Sequence, residues 1–154
     1  MQTTRVPMAE LMKVVRLQLK TAGRANLAVT GCSMLPMLRQ NRDIVILEPI
    51  ADSLQAGDIA LFQRENGPYV LHRVITVDKR WYVFCGDNQA QCEQVEHRQL
   101  VARVTGYIRN GKAYDLKSIG YRLYCWAWVR LFCLRKYYIA IRRRLGRLRV
   151  RLFN

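Results

Sequence analysis

The sequence has no stretch of about 18 to 20 uncharged apolar residues, the length a helix needs to cross a bilayer. Its longest candidate, Leu123 to Leu134, is broken by Arg130. A secretory signal is also missing from the beginning, where Glu10, Lys13, Arg16 and Lys20 interrupt the apolar residues before a hydrophobic run can form. Cysteine occurs five times, an odd number at irregular spacing, which does not suit a disulfide framework. Cys85, Cys92 and His97 come nearest to a metal-binding set, but their spacing follows no common zinc-finger pattern and a fourth ligand is lacking. They read as buried or idle thiols beside a surface histidine. Histidine is scarce, with two in the chain, so histidine-based proton transfer has only His72 and His97 to draw on.

Acid is wholly absent from residues 116–154, which hold 11 Lys+Arg, whereas residues 1–115 carry 15 Lys+Arg against 11 Asp+Glu. The net charge of +15 therefore sits largely in a polycationic tail on a nearly balanced body. Such a tail faces phosphates, of anionic lipid or of nucleic acid.

A chain of 154 residues, about half of them hydrophobic, suffices for one domain with its own core plus an appendage. Pro7 suits a first helical turn, and Met8, Leu11, Met12, Val15 and Leu19 fall on one helical face, so residues 7–22 read as an amphipathic helix ended by Gly23. Packing on the domain is the expected role of that face. From Leu27 to Tyr114 the pattern changes to short β-rich runs: Leu27 to Val29, Ile44 to Leu47, Ile59 to Phe62, Tyr69 to Val77, Trp81 to Cys85, Leu100 to Ile108 and Lys112 to Tyr114. Asn110-Gly111 marks a two-residue hairpin turn. The expected organisation is a helix over 1–24, a mainly β domain of many short strands over 25–115, and a basic aromatic segment over 116–154. In that segment Tyr121, Tyr124, Trp126, Trp128, Phe132, Tyr137 and Tyr138 stand among arginines, a composition that favours the headgroup region of an anionic membrane. Attachment to a membrane surface through 118–154 is the expected use, ahead of a partner-docking helix or an RNA-binding arm.

The stretch TGCSMLPML, Thr30 to Leu38, sets Cys32 and Ser33 in a turn between Gly31 and Pro36. Gly31 permits an unusual backbone and close approach of a substrate, and Pro36 limits the backbone on the C-terminal side of the turn. Either side chain is a nucleophile if a base and fixed N–H donors are supplied, the thiol being the more readily ionised. His72 lies on a strand where alternation sets Val70, His72 and Val74 on one face and Leu71, Arg73 and Ile75 on the other. This gives a sheltered imidazole suited to proton transfer. His97, in the polar run Gln94 to Arg98, reads as an exposed loop residue. Asp87, in Gly86-Asp87-Asn88, and Glu93 are the carboxylates that could fix the histidine tautomer.

In this order Gly31-Cys32-Ser33-Met34-Leu35-Pro36, Asp43, Gly57-Asp58-Ile59, Leu71-His72-Arg73-Val74-Ile75 and Gly86-Asp87-Asn88 resemble the S24/S26 serine peptidases, the superfamily of type I signal peptidases and LexA-like self-cleaving proteins. The resemblance covers about residues 27–108 and is greatest to the Ser-His branch of the endoplasmic reticulum, archaea and some Gram-positive bacteria. It implies a LexA/signal-peptidase-like β fold, Ser33 as nucleophile, His72 as general base and Cys32 as a variable neighbour. Asp43 and Asp58 are implied to be structural. Asp87 is implied as a site acid, with Glu93 as the alternative where the family has a second aspartate. Backbone N–H groups of Gly31 and Ser33 are implied as oxyanion donors. No cofactor and no metal are required. The implied activity is acyl-enzyme cleavage of signal, leader or precursor peptides at a prokaryotic cytoplasmic membrane. The chain departs from the branch in lacking an N-terminal membrane-spanning helix, so attachment falls to the C-terminal segment. The rival readings are a non-catalytic protein on the same scaffold that binds anionic membrane or RNA through its tail, and a self-cleaving regulator, which the absence of a lysine base disfavours.

Overall fold

The computed structural model of the chain describes residues 7–65, 67–135, 137–139 and 141. Helix α1, Met8–Ala22, follows Pro7 and stops at Gly23, whose φ of 68° is the left-handed conformation that closes many helices. Its buried residues Met12, Val15 and Leu19 join a core with Leu27, Val29, Met34, Leu38, Val45 and Leu47. The helix thus lies on the sheet through the face that its periodicity marks. Met8, counted in that face, is partly exposed.

The body is a mainly antiparallel β sheet of eight strands. They are β1 Ala25–Ala28, β2 Asp43–Glu48, β3 Ile59–Gln63, β4 Tyr69–Val77, β5 Trp81–Cys85, β6 Cys92–Glu96, β7 Leu100–Arg109 and β8 Lys112–Asp115. Their order is β1-β2-β7-β3-β4-β5-β6, with β8 paired to β7. Asn110 and Gly111 both have positive φ, 51° and 76°, and Arg109 faces Lys112 across them, as a two-residue hairpin requires. Shifts of register interrupt β2–β7 between Ile46 and Leu47 and β4–β5 between Val74 and Thr76, which adds bend and twist to the sheet. A second core of Leu54, Ala60, Phe62, Val74, Tyr82, Phe84 and Val95 is separate from the one under α1. Strand alternation divides β3 and β4 between the two: Leu61 and Leu71 join the α1 core, while Phe62, Val70 and Val74 join the other.

Strand β6 is the element that the sequence pattern does not reveal. One fully buried side chain, Val95, anchors it to β5 through Tyr82, and the other residues are polar or exposed. His97 is exposed, as expected, and lies in a single 3-10 turn with its ring 4.7 Å from that of Tyr82.

Helix α2, Ile119–Arg130, begins with Ser118, whose hydroxyl accepts the Tyr121 N–H at 3.4 Å. Helical hydrogen bonds from Leu131 to Ala127 and from Arg135 to Leu131 carry it past its end into helical residues 132–135. Its inner face meets the sheet at Arg73 of β4, which is wholly buried. Arg73 Nη1 donates to Tyr121 Oη at 3.0 Å and to Cys125 Sγ at 3.0 Å. Its guanidinium also lies 5.8 Å from the Tyr121 ring and 5.7 Å from the Tyr124 ring. Part of the basic aromatic segment is therefore interior. Among the described residues no helix is long and apolar enough to cross a membrane.

Candidate active site

Ser33 sits in the turn after β1, and three devices hold it. Met34 and Leu38 on its C-terminal side are buried in the α1 core. Gly31 takes a φ of 76°, where a side chain would be strained. From the facing loop, Asn88 donates its backbone N–H to the Ser33 carbonyl at 2.7 Å and its side-chain amide to the Cys32 carbonyl at 3.3 Å. A Cβ on Gly86 would come within 2.8 Å of that same Ser33 carbonyl, so the Gly86-Asp87-Asn88 loop can approach the serine turn only because residue 86 is glycine.

His72 projects from β4 and is almost fully buried, with its ring against Phe62 at 6.1 Å between centroids. Its Nδ1 lies 3.1 Å from Glu93 Oε1. Since the carboxylate can only accept, this contact fixes the tautomer with hydrogen on Nδ1 and leaves the Nε2 lone pair able to accept a proton. Arg64 grips Glu93 from the other side, with Nε to Oε2 at 2.7 Å and Nη2 to Oε1 at 3.0 Å. Burial lowers the His72 pKa from its ordinary value, against the charge and hydrogen bond of Glu93, which act to raise it, while Arg64 lowers it further. Burial raises the Glu93 pKa, but the hydrogen bonds and charge of Arg64 outweigh it, and the carboxylate is held below its ordinary value.

Ser33 and His72 line one cavity of about 250 Å³. Leu27, Val29, Met34, Val45 and Leu61 make much of its wall apolar, and Arg64 and Gln89 add polar groups. Cys32 is exposed and is not among the lining residues. No hydrogen bond joins the Ser33 hydroxyl to His72 among the described residues. Catalytic contacts of this kind are often long without substrate and tighten when it binds.

Two expected site members lie elsewhere. Asp87, the acid preferred from the sequence, is fully buried against Arg73, with Oδ1 to Nε at 2.8 Å and Oδ2 to Nη2 at 2.7 Å, and a longer contact of 3.4 Å to Arg135. The carboxylate in contact with His72 is Glu93. Asp87 supports the loop that holds Ser33, because Asn88 is the next residue. The Gly31 N–H, expected as an oxyanion donor, points to Gln40 Oε1 at 3.0 Å, whereas the Ser33 N–H has no protein partner among the described residues. Asp43 caps the end of the serine turn: it accepts the Arg39 N–H and pairs with Arg42 and Arg109, which with that N–H outweigh its burial and hold it below the usual carboxylate range. Asp58 accepts the Gln55 N–H, a local turn bond.

The part of Arg64 and the structural roles of Arg73 and Asn88 are not legible in the sequence. The basic residue next to the candidate histidine is visible there, and alternation sends it to the opposite face, but its partners depend on the tertiary fold. Cys85 and Cys92 face each other across β5 and β6, apart from His97. Burial pushes the Cys85 thiol up to about 12, and no group of three metal-type ligands occurs among the described residues. No known family model matches the chain, and no curated protein matches it.

Proposed function

We propose that this chain is a serine-type endopeptidase of the signal peptidase I kind, with a LexA/signal-peptidase-like β fold and a Ser33–His72–Glu93 site. The observation that carries the reading is that Ser33 and His72 line one small cavity of mixed polar and apolar walls while Glu93 holds Nδ1 of that histidine. The order of short motifs around Ser33 and His72 supports it independently of the geometry.

In the proposed reaction His72 Nε2 takes the Ser33 proton as Oγ attacks a peptide carbonyl, and Glu93 offsets the positive charge that forms on the ring. The Ser33 N–H is the donor available to the developing oxyanion, because the Gly31 N–H is committed to Gln40. His72 then gives its proton to the leaving amine, and the acyl group stays on Ser33 until water, deprotonated by the same nitrogen, releases it. A small side chain before the cleaved bond is what the resemblance to the signal peptidases implies, and the cavity beside Ser33 has room for it. Signal, leader and precursor peptides with Ala-X-Ala sequences are the substrate class that fits.

Cleavage of such peptides by the full chain, monitored by mass spectrometry, tests the reading. The wild type should cut after the small residue and Ser33→Ala should not. Equal rates of cleavage by the two proteins would reject Ser33 as the nucleophile, and no cleavage by the wild type would favour a non-catalytic role on the same scaffold.

A further inference from the structure

Helix α2 and the helical residues after it have two apolar faces, and among the described residues only one of them is covered. Tyr121, Cys125, Trp128, Phe132, Arg135 and Ile139 recur every three or four residues on the inner side, where Tyr121 and Cys125 bond to Arg73, and Arg135 lies over the rings of Trp128 and Phe132. Ile119, Leu123, Trp126, Leu134, Tyr137 and Ile141 recur at the same interval on the opposite side, and each is between 57 % and 78 % exposed. Arg130 completes this outer row, and Lys117 and Arg122 are also exposed along it. A row of this length on the surface of a monomer marks an interaction site.

We infer that this outer row lies flat in the interface of an anionic bilayer, with its aliphatic and aromatic side chains in the acyl boundary and its cations at lipid phosphates. Charge selects this occupant. The segment 116–154 contains no acid, so its cations have no intramolecular partner in their own stretch and are complementary to an anionic surface. Trp126 and Tyr137 suit the headgroup level, and Arg130, within the row, can extend its guanidinium past the apolar side chains to phosphate. Face-to-face pairing of this row with that of a second copy would bring Lys117, Arg122 and Arg130 of both copies together with no acid between 116 and 154 to offset them. RNA would use the arginines but leave Ile119, Leu123 and Leu134 in water. The helix is held flat on the sheet by Arg73, which suits attachment parallel to the membrane.

Co-sedimentation of the full chain with phosphatidylcholine vesicles, with and without phosphatidylglycerol, tests the inference at low and raised salt. The wild type should bind the phosphatidylglycerol vesicles and bind less as salt rises. L123E/W126E should weaken that binding at least about tenfold, given the apolar area withdrawn from the interface. V14E/L17E, on the exposed side of α1, should leave binding unchanged. R122Q/R130Q should reduce the preference for phosphatidylglycerol while the fold, monitored by its thermal midpoint, is kept. Ser33→Ala should bind as the wild type does, so vesicle binding and peptidase activity fail independently. Undiminished binding by L123E/W126E would overturn the inference. So would RNA retention or self-association that L123E/W126E abolishes, in a protein that does not bind the vesicles.

Discussion

Glu93 and Asp87 each meet an arginine, and what else that arginine touches decides what losing the carboxylate does. Arg64, the partner of Glu93, is partly exposed, so Glu93→Gln leaves a cation that water can solvate. Its consequence falls on His72, whose Nδ1–H loses a charged acceptor. The expected result is a drop in peptide cleavage of about a hundredfold to ten-thousandfold with little change in stability. Arg73, the partner of Asp87, is fully buried, and Asp87→Asn strands it with no full countercharge. Breaking such a pair costs about 3–5 kcal/mol, so this variant should lose far more in urea denaturation than Glu93→Gln does. A reversed order of the two stability losses would place the acids the other way round.

The pH dependence rests on the same residues. Because burial lowers the folded pKa of His72 below its unfolded value of 6.5, the ring stays neutral and competent as a base at lower pH than an ordinary histidine. The stability it contributes is complete above 6.5 and is lost as pH falls toward the folded value. The acid limb of kcat/KM should therefore have its midpoint below 6.5. Arg64→Met removes a positive neighbour and frees Glu93 to act on His72 alone, so that midpoint should move to higher pH. A midpoint unmoved or lowered in Arg64→Met would show that Arg64 does not tune the base.

Among the elements, α2 is tied to the sheet by the buried cation Arg73. Arg73 joins it to β4, to the Gly57 carbonyl at 2.8 Å and to the Asp87 loop. Arg73→Met should cost about 3–5 kcal/mol. Hydrogen exchange should show α2 amides opening more than those of β3. Pairing it with Asp87→Leu should restore only a small part of the loss, since Arg73 and Asp87 are then both gone but the buried Arg135 loses the carboxylate it meets at 3.4 Å.

The same elements show what a sequence can reveal. Alternation in β4 puts His72 and Arg73 on opposite faces, and each is found with its own set of partners. Which of the two acids serves the histidine is not legible, because β6 has a single buried apolar residue and shows little strand signal. Once β6 is a strand, Glu93 and Val95 share a face, and the pairing of Glu93 with Phe84 brings the carboxylate near His72. In α2 the arginines and aromatics look unsorted because two buried cations use those rings: Arg73 stacks on Tyr121 and Tyr124, and Arg135 on Trp128 and Phe132. Composition shows that aromatics and arginines coexist, but only packing shows which of them face inward.

At the scale of the whole molecule, the serine turn, the histidine strand and the terminal helix form one connected arrangement. Asn88 holds Ser33, Asp87 beside it binds Arg73, and Arg73 holds α2. The cavity and the proposed membrane face are thus built on the same β body. The proposed chemistry turns on Ser33, and not the more readily ionised thiol beside it, being the group that His72 activates. Treating the full chain with a serine-reactive acylating probe and mapping the added mass by peptide, in wild type, Ser33→Ala and His72→Ala, decides between the two nucleophiles. Acylation should occur at Ser33 in the wild type and be lost in both variants. Acylation confined to Cys32, or at Ser33 with the same rate in His72→Ala, would refute the assignment.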